Sequence, residues 1–182
     1  MNSHEEREAF DKFYALVLRW NPRLHLTTIT EPKAFAERHL AEAFEVASHI
    51  AEGIDEFWDV GSGLGIPGVP VAVRRKDLRV RLIESNKRKA IFLEEVAREL
   101  RLENVNVINE RFDVSTVPET ACVAARAVEN MGKLVESFFK ARCRQVIVLG
   151  NNSLLPSSIP GWQIDKHPLP SGHGLLFDCK SL

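Results

Sequence analysis

The residues best suited to chemistry form one run, Asp59-Val60-Gly61-Ser62-Gly63-Leu64-Gly65-Ile66-Pro67-Gly68, which follows a short apolar stretch and opens a helical pattern. Glycines at the carboxyl end of a strand let the backbone turn sharply and approach a ligand where any Cβ would intrude. Two cofactor classes use such a loop. Gly63, Gly65 and Gly68 satisfy the dinucleotide pattern G-x-G-x-x-G, a weak match on its own. Three features point instead to S-adenosyl-L-methionine: Asp59 at the strand end, the D-x-G-x-G-x-G register, and Pro67 in the first helical turn. A carboxylate there attracts the methionine ammonium and would repel a pyrophosphate. A dehydrogenase would also need a substrate domain, for which few residues remain.

Glu84 closes the next apolar run, 19 residues past Gly65, a spacing that suits a clamp on both ribose hydroxyls. The alternative is a strand-end acid paired with Lys87 or Arg88. After the third apolar run, Phe112 is placed to stack on adenine and Asp113 to meet its amino group. Charge is uneven although the net value is −1. Residues 1–73 sum to −6, residues 74–89 to +6 and the rest to −1. Within the basic run, Arg74, Arg75, Lys87, Arg88 and Lys89 are the candidates for gripping phosphate, against the alternative of a solvated face.

These residues need elements to hold them. Ser3 with Glu6 reads as a capping box, and Phe10, Phe13, Tyr14, Val17 and Leu18 recur at helical spacing; Asn21-Pro22 is expected to break this helix near Trp20. Pro32 opens a second helix through Phe35, Leu40, Phe44, Ala47 and Ile50, so residues 1–52 read as a helical cap. From residue 53 the pattern becomes strand–helix–strand. Strands are predicted at 57–60, 80–83, 105–108, 122–125 and 146–149, with helices at 67–73, 87–102 and 129–141. Two last strands, 162–167 and 174–179, are expected to pair antiparallel around Pro168–Gly172. The pattern predicts an α/β fold, a doubly wound Rossmann-like sheet with an N-terminal helical cap, in one domain over 1–182.

Length and composition agree with this. In 182 residues, 45% hydrophobic and 27% charged, there is enough chain for a packed core and none of the bias of collagen or disordered sequences. Cys122, Cys143 and Cys179 are an odd, scattered set that argues against a disulfide framework and excludes a zinc ribbon. No metal is expected, since the six His make no H-x-x-x-H or H-E-x-x-H arrangement; His39 on the second helix is placed to touch the glycine loop, with a structural role favoured. The acidic N-terminus has no leader-like core, and the uncharged stretch 145–164 contains Asn, Ser and Pro unsuited to a bilayer helix. No membrane segment is expected, and the chain is read as cytoplasmic.

The segments LHLTTI (24–29), RHL (38–40), DVGSGLGIPGVPVAV (59–73), LIESNKRKAIFLEEV (82–96), LRLENVNVI (100–108) and AARAV (124–128) resemble, in order and spacing, the glucose-inhibited division protein B family. These are bacterial class I methyltransferases of N7 of a guanine in small-subunit ribosomal RNA. The resemblance covers about residues 14–135. It implies cofactor contacts from Gly61 and Ile66, from Phe112 and Asp113, and from Arg126 after the fourth strand, which is placed to hold the methionine carboxylate or the RNA, or else to pair with Glu129. The implied partners are 16S ribosomal RNA or the small subunit, with the chain a monomer. The chain departs from the family at His25, where Asn is usual, at Leu149, where Lys is usual, and in a short tail that is not basic. A methyltransferase of a small molecule or protein, or a non-catalytic cofactor-binding homologue, stays open beside the RNA reading. No Asn/Asp-Pro-Pro-Tyr-like motif and no Pro-Cys dipeptide occurs, so neither exocyclic amines nor covalent attack on cytosine is suggested.

Overall fold

A computed structural model describes residues 3–127, 131–141, 143–156 and 158–182. The cap comprises α1 (Ser3–Leu24) and a continuous second helix: α2 (Pro32–Phe35), one π-helical turn (Ala36–Leu40) and α3 (Ala41–His49). The core follows as β1 (Glu56–Val60), α4 (Gly68–Arg74), β2 (Arg79–Ile83), α5 (Lys87–Glu99), β3 (Val105–Ile108), a short 3₁₀ turn (Val114–Thr116), β4 (Ala121–Arg126), α6 (Met131–Phe138), β5 (Gln145–Gly150), β6 (Trp162–Pro168) and β7 (Leu175–Ser181). The strands form one sheet in the order β3-β2-β1-β4-β5-β7-β6, parallel from β3 to β5 and antiparallel where β7 inserts between β5 and β6. Chain order reverses between β1 and β4, and such a switch point opens a crevice at the strands' carboxyl ends.

Strand alternation sorts the side chains onto two apolar layers. Phe57, Cys122, Ala124, Ile147 and Leu176 face α4, α5 and the cap. Trp58, Val60, Val123, Ala125, Val146 and Val148 face α6. Asp59 and Arg126 therefore fall on the cap-side face, two residues on from Phe57 and Ala124. The cap is keyed to the sheet through Gln145, which is fully buried: its amide donates to His49 O at 2.7 Å and to Asp178 Oδ1 at 2.6 Å, and its oxygen accepts from Ala51 N at 3.0 Å.

The first helix does not stop at Trp20. Proline lacks a backbone N–H and crowds the preceding turn, yet α1 continues through Pro22 to Leu24, with the proline confined to its last turn. Its end is fixed by Asn21, whose side chain accepts from Thr27 N and donates to Thr27 O, both at 2.9 Å. His25 then takes φ +49°, a left-handed conformation in which Asn, Asp and His are enriched, so the departure from Asn suits this backbone. The sixth helix is described from Met131, and the expected start at residue 129 lies outside the described residues; so does the Ser3 side chain on which the capping box rests. Among the described residues no helix is long and apolar enough to cross a membrane. The three cysteines are free and buried, and burial pushes their thiols up, Cys143 to about 11 and Cys179 to about 12.

Candidate functional site at the sheet's switch point

A cavity of about 1090 Å³ opens over the carboxyl ends of β1, β2, β4 and β5. One wall is the glycine loop, Gly61–Leu64 with Ile66, together with Glu84, Ser85 and Lys89. Gly61, Gly63 and Gly65 have φ of +73°, +48° and +89°. Two glycines are required by packing: a Cβ on Gly65 would lie 2.8 Å from Val69 Cγ2, and one on Gly68 would overlap Leu82 and Asp59.

Glu84 is buried and lines this wall. Its Oε2 accepts from Gly63 N at 2.9 Å and its Oε1 from Asn86 N at 2.7 Å. A carboxylate offers about four lone-pair positions, so one on each oxygen remains for a ligand. The alternative pairing of Glu84 with Lys87 or Arg88 does not form. Asn86 in turn caps α5, accepting from Arg88 N and Lys89 N.

Asp59 is placed differently from the expectation. It is 1% exposed and lies under the loop, where Oδ2 accepts from Gly68 N at 3.1 Å. It is not among the residues that line the cavity, so its direct reach to an ammonium is not what this arrangement provides. Burial raises its carboxyl to about 7, partly countered by the Gly68 bond. Gly65, Phe112 and Asp113 also lie outside the lining: Phe112 packs edge-on to Phe138, and the Asp113 carboxylate accepts from Ser115 N and Oγ.

The opposite wall belongs to the cap. Arg126, at the end of β4, donates through Nε to Glu42 Oε2 at 2.9 Å and through Nη2 to His39 Nδ1 at 3.0 Å. Glu42 is 3% exposed, and its other oxygen accepts from Ser171 Oγ at 2.7 Å, which ties in the loop between β6 and β7. His39 Nε2 lies 2.9 Å from Thr27 Oγ1. Burial, then Arg126 and Arg38, push the imidazole down to about 4, so the ring is neutral near pH 7. The sequence suggested Glu129 as the partner of Arg126; Glu129 lies outside the described residues, and among those described Arg126 pairs with Glu42. Thr27, Glu42 and Ser171 were missed. The available signal was Phe35, His39, Glu42 and Val46, two polar residues on an otherwise apolar helical stripe.

The basic run is split. Lys87 and Arg88 are exposed at the start of α5, and Lys89 lines the cavity. Arg74 and Arg75 end α4, which runs back from the switch point, so they lie at the sheet's other edge. There Arg74 pairs with Glu6 and covers the Phe44 ring, and Arg75 pairs with Asp77. The structure does not bring them to the cavity.

This architecture and crevice define a Rossmann-like class I methyltransferase sheet. A crystal structure of a SAM dependent methyltransferase from Aquifex aeolicus matches it with TM-score 0.59 at 11% identity, over 86% of this chain and 96% of that one, a likeness of fold. The family model for rRNA small subunit methyltransferase G matches residues 6–149, and the chain belongs to that family. A relative named Ribosomal RNA small subunit methyltransferase G, from Nitrosospira multiformis, is 45% identical over 102 residues, which are 56% of this chain and 46% of that protein. One of the same name from Nitrosomonas eutropha is 28% identical over 178 residues, covering 86% and 82%. The chain thus spans about half the length of the first relative and about four fifths of the second.

Proposed function

We propose that this chain is an S-adenosylmethionine-dependent methyltransferase acting on N7 of a guanine in 16S ribosomal RNA. The observation that carries the reading is one cavity that joins a glycine loop and a buried carboxylate to a hydrogen-bonded wall from the cap. The residues present fit the cofactor: Glu84 keeps lone pairs for two vicinal hydroxyls, and the side-chain-free loop permits close approach of a ligand. When bound, S-adenosylmethionine supplies an electrophilic methyl group.

The protein's task is then mostly positional. Guanine N7 is a lone-pair nucleophile, so its attack releases no proton and needs no general base. Holding base and cofactor in line supplies the rate enhancement through orientation. Asp59 serves this by fixing the loop at Gly68, and the Glu42–Arg126 pair by fixing the cap over the crevice. Lys89 lines the cavity, Lys87 and Arg88 are exposed just before it on α5, and the three meet the RNA backbone. The Leu149 side chain lines the cavity without charge, so more of the phosphate contact rests on α5.

The test is transfer of a labelled methyl group from S-adenosylmethionine to 16S RNA or small subunits, with calorimetry against S-adenosylhomocysteine. Transfer at guanine N7 is the expected result. Heat of binding without transfer to any RNA would overturn the substrate, in favour of a small molecule or protein, and absence of heat would overturn the cofactor.

A further inference from the structure

The cap wall fixes one proton by elimination. Arg126 can only donate, so the His39 Nδ1 that its Nη2 meets at 3.0 Å carries the lone pair. The neutral ring's hydrogen is then on Nε2, which donates to Thr27 Oγ1 at 2.9 Å. Ile29 N donates to the same oxygen at 3.0 Å. Both lone pairs of the hydroxyl are used, and its own proton remains to be given. Among the described residues that hydroxyl forms no further hydrogen bond, and Thr27 lines the cavity.

Thr27 is also held unusually firmly for a residue in a linker. Asn21 bonds both its backbone groups at 2.9 Å, and the π-helical turn Ala36–Leu40 sets His39 beneath it. π-Helical turns are rare and concentrate at functional sites. A donor with fixed position and direction, facing a cavity, selects ligands that place an acceptor there.

Resting on the proposed function, we propose that Thr27 is a specificity-determining residue: its hydroxyl donates to O6 of the target guanine. The Hoogsteen edge of guanine carries two acceptors, N7 and O6. N7 must keep its lone pair for the methyl group, which leaves O6 as the atom to hold. Adenine presents an amino donor at the same place and would set donor against donor. The His39–Arg126–Glu42–Ser171 chain acts through Thr27 as a positioning relay, since it is what denies the hydroxyl any role but donor.

The experiment compares methyl transfer to RNAs carrying guanine, inosine or 2-aminopurine at the target, for the wild-type chain, Thr27→Val and Thr27→Ser. Inosine keeps O6, and 2-aminopurine lacks it. For the wild type, kcat/KM should fall at least tenfold from guanine to 2-aminopurine and little to inosine. Thr27→Val should lose at least tenfold on guanine while its guanine to 2-aminopurine ratio collapses towards one, and Thr27→Ser should restore both. Calorimetry with S-adenosylhomocysteine should give unchanged affinity in all three. A Thr27→Val chain that loses equally on every base, or keeps the wild-type ratio, overturns the assignment and leaves the methyltransferase reading standing. Failure of the wild type to methylate any RNA overturns that reading and Thr27's role with it.

Discussion

The glycine-loop wall of the cavity comes from one stretch of chain, residues 59–89, and is held by backbone N–H groups on carboxylates. The cap wall gathers Thr27, His39 with Glu42, Arg126 and Ser171 from four places and is held by side chains bonded to side chains. The first is a local turn whose geometry follows from its glycines. The second exists only when cap, sheet and the β6–β7 loop are all docked. Stability and base choice should therefore be concentrated in the cap wall, and cofactor affinity in the loop wall.

The largest effect expected from this division is at Glu42. Glu42→Ala leaves the half-buried Arg126 and the Ser171 hydroxyl without their acceptor, and breaking such a pair costs about 4 kcal/mol. Urea unfolding should show this loss, and the joint variant Glu42→Leu, Arg126→Met should recover most of it. A loss below about 1 kcal/mol would mean that the cap wall behaves as a solvated surface pair.

The two walls also titrate in opposite senses. His39, ordinarily near 6.5, is held at about 4, so below 6.5 the unfolded chain takes a proton that the native ring refuses. Stability from this group is complete above 6.5 and is lost as pH falls to about 4, by about 3 kcal/mol in all. Asp59 rises from 3.8 to about 7, so the native chain keeps a proton that the unfolded chain releases. Its contribution is greatest below about 4 and is lost as pH rises to about 7. Between these limits the slopes offset each other in the wild type. Relative to it, His39→Gln should leave stability falling with pH and Asp59→Asn should leave it rising, measured by urea melts across that window. Parallel profiles for the two variants would remove the contrast.

The same division explains what could be read in the letters. Every strand falls within about two residues of its predicted bounds, the parallel ones because such strands leave apolar runs bounded by turn residues. The place of the glycine loop and of Glu84 on the cavity wall was legible for a similar reason: the motif is contiguous, and its spacing is set by one strand–helix–strand unit. Asp59 was found but misdirected. Its type and register suggested a ligand contact, while strand alternation puts it beside Phe57, under α4, where Gly68 N takes it up. The basic run misled in another way, since one helix carries Arg74 and Arg75 to the far edge. The cap wall was illegible in detail, for its bonds join residues 84, 87 and 129 positions apart. No local pattern records such pairs.

A smaller effect belongs to the loop wall. Glu84→Ala removes a charged acceptor from Gly63 N, from Asn86 N and from the proposed ribose site, and should weaken S-adenosylhomocysteine about tenfold, or about 1.4 kcal/mol, with little change in guanine to 2-aminopurine preference. An altered base preference with unaltered affinity would interchange the two walls' roles.

The smallest effects separate the two halves of the basic run. Replacing Lys87, Arg88 and Lys89 by Ala removes the three proposed phosphate contacts, and each neutralised contact on single-stranded RNA is worth about 0.7 in the slope of log affinity against log salt. The slope should flatten by about two. Replacing Arg74 and Arg75 by Ala should leave it unchanged, because Glu6 and Asp77 already neutralise them at the edge opposite the cavity. Their loss should appear only as a modest destabilisation, about 1 kcal/mol or less, from exposed ion pairs and the Arg74–Phe44 stack. Equal flattening by both sets would mean that RNA wraps from the crevice around α4 to the far edge, and that sequence adjacency was after all the better guide to this surface.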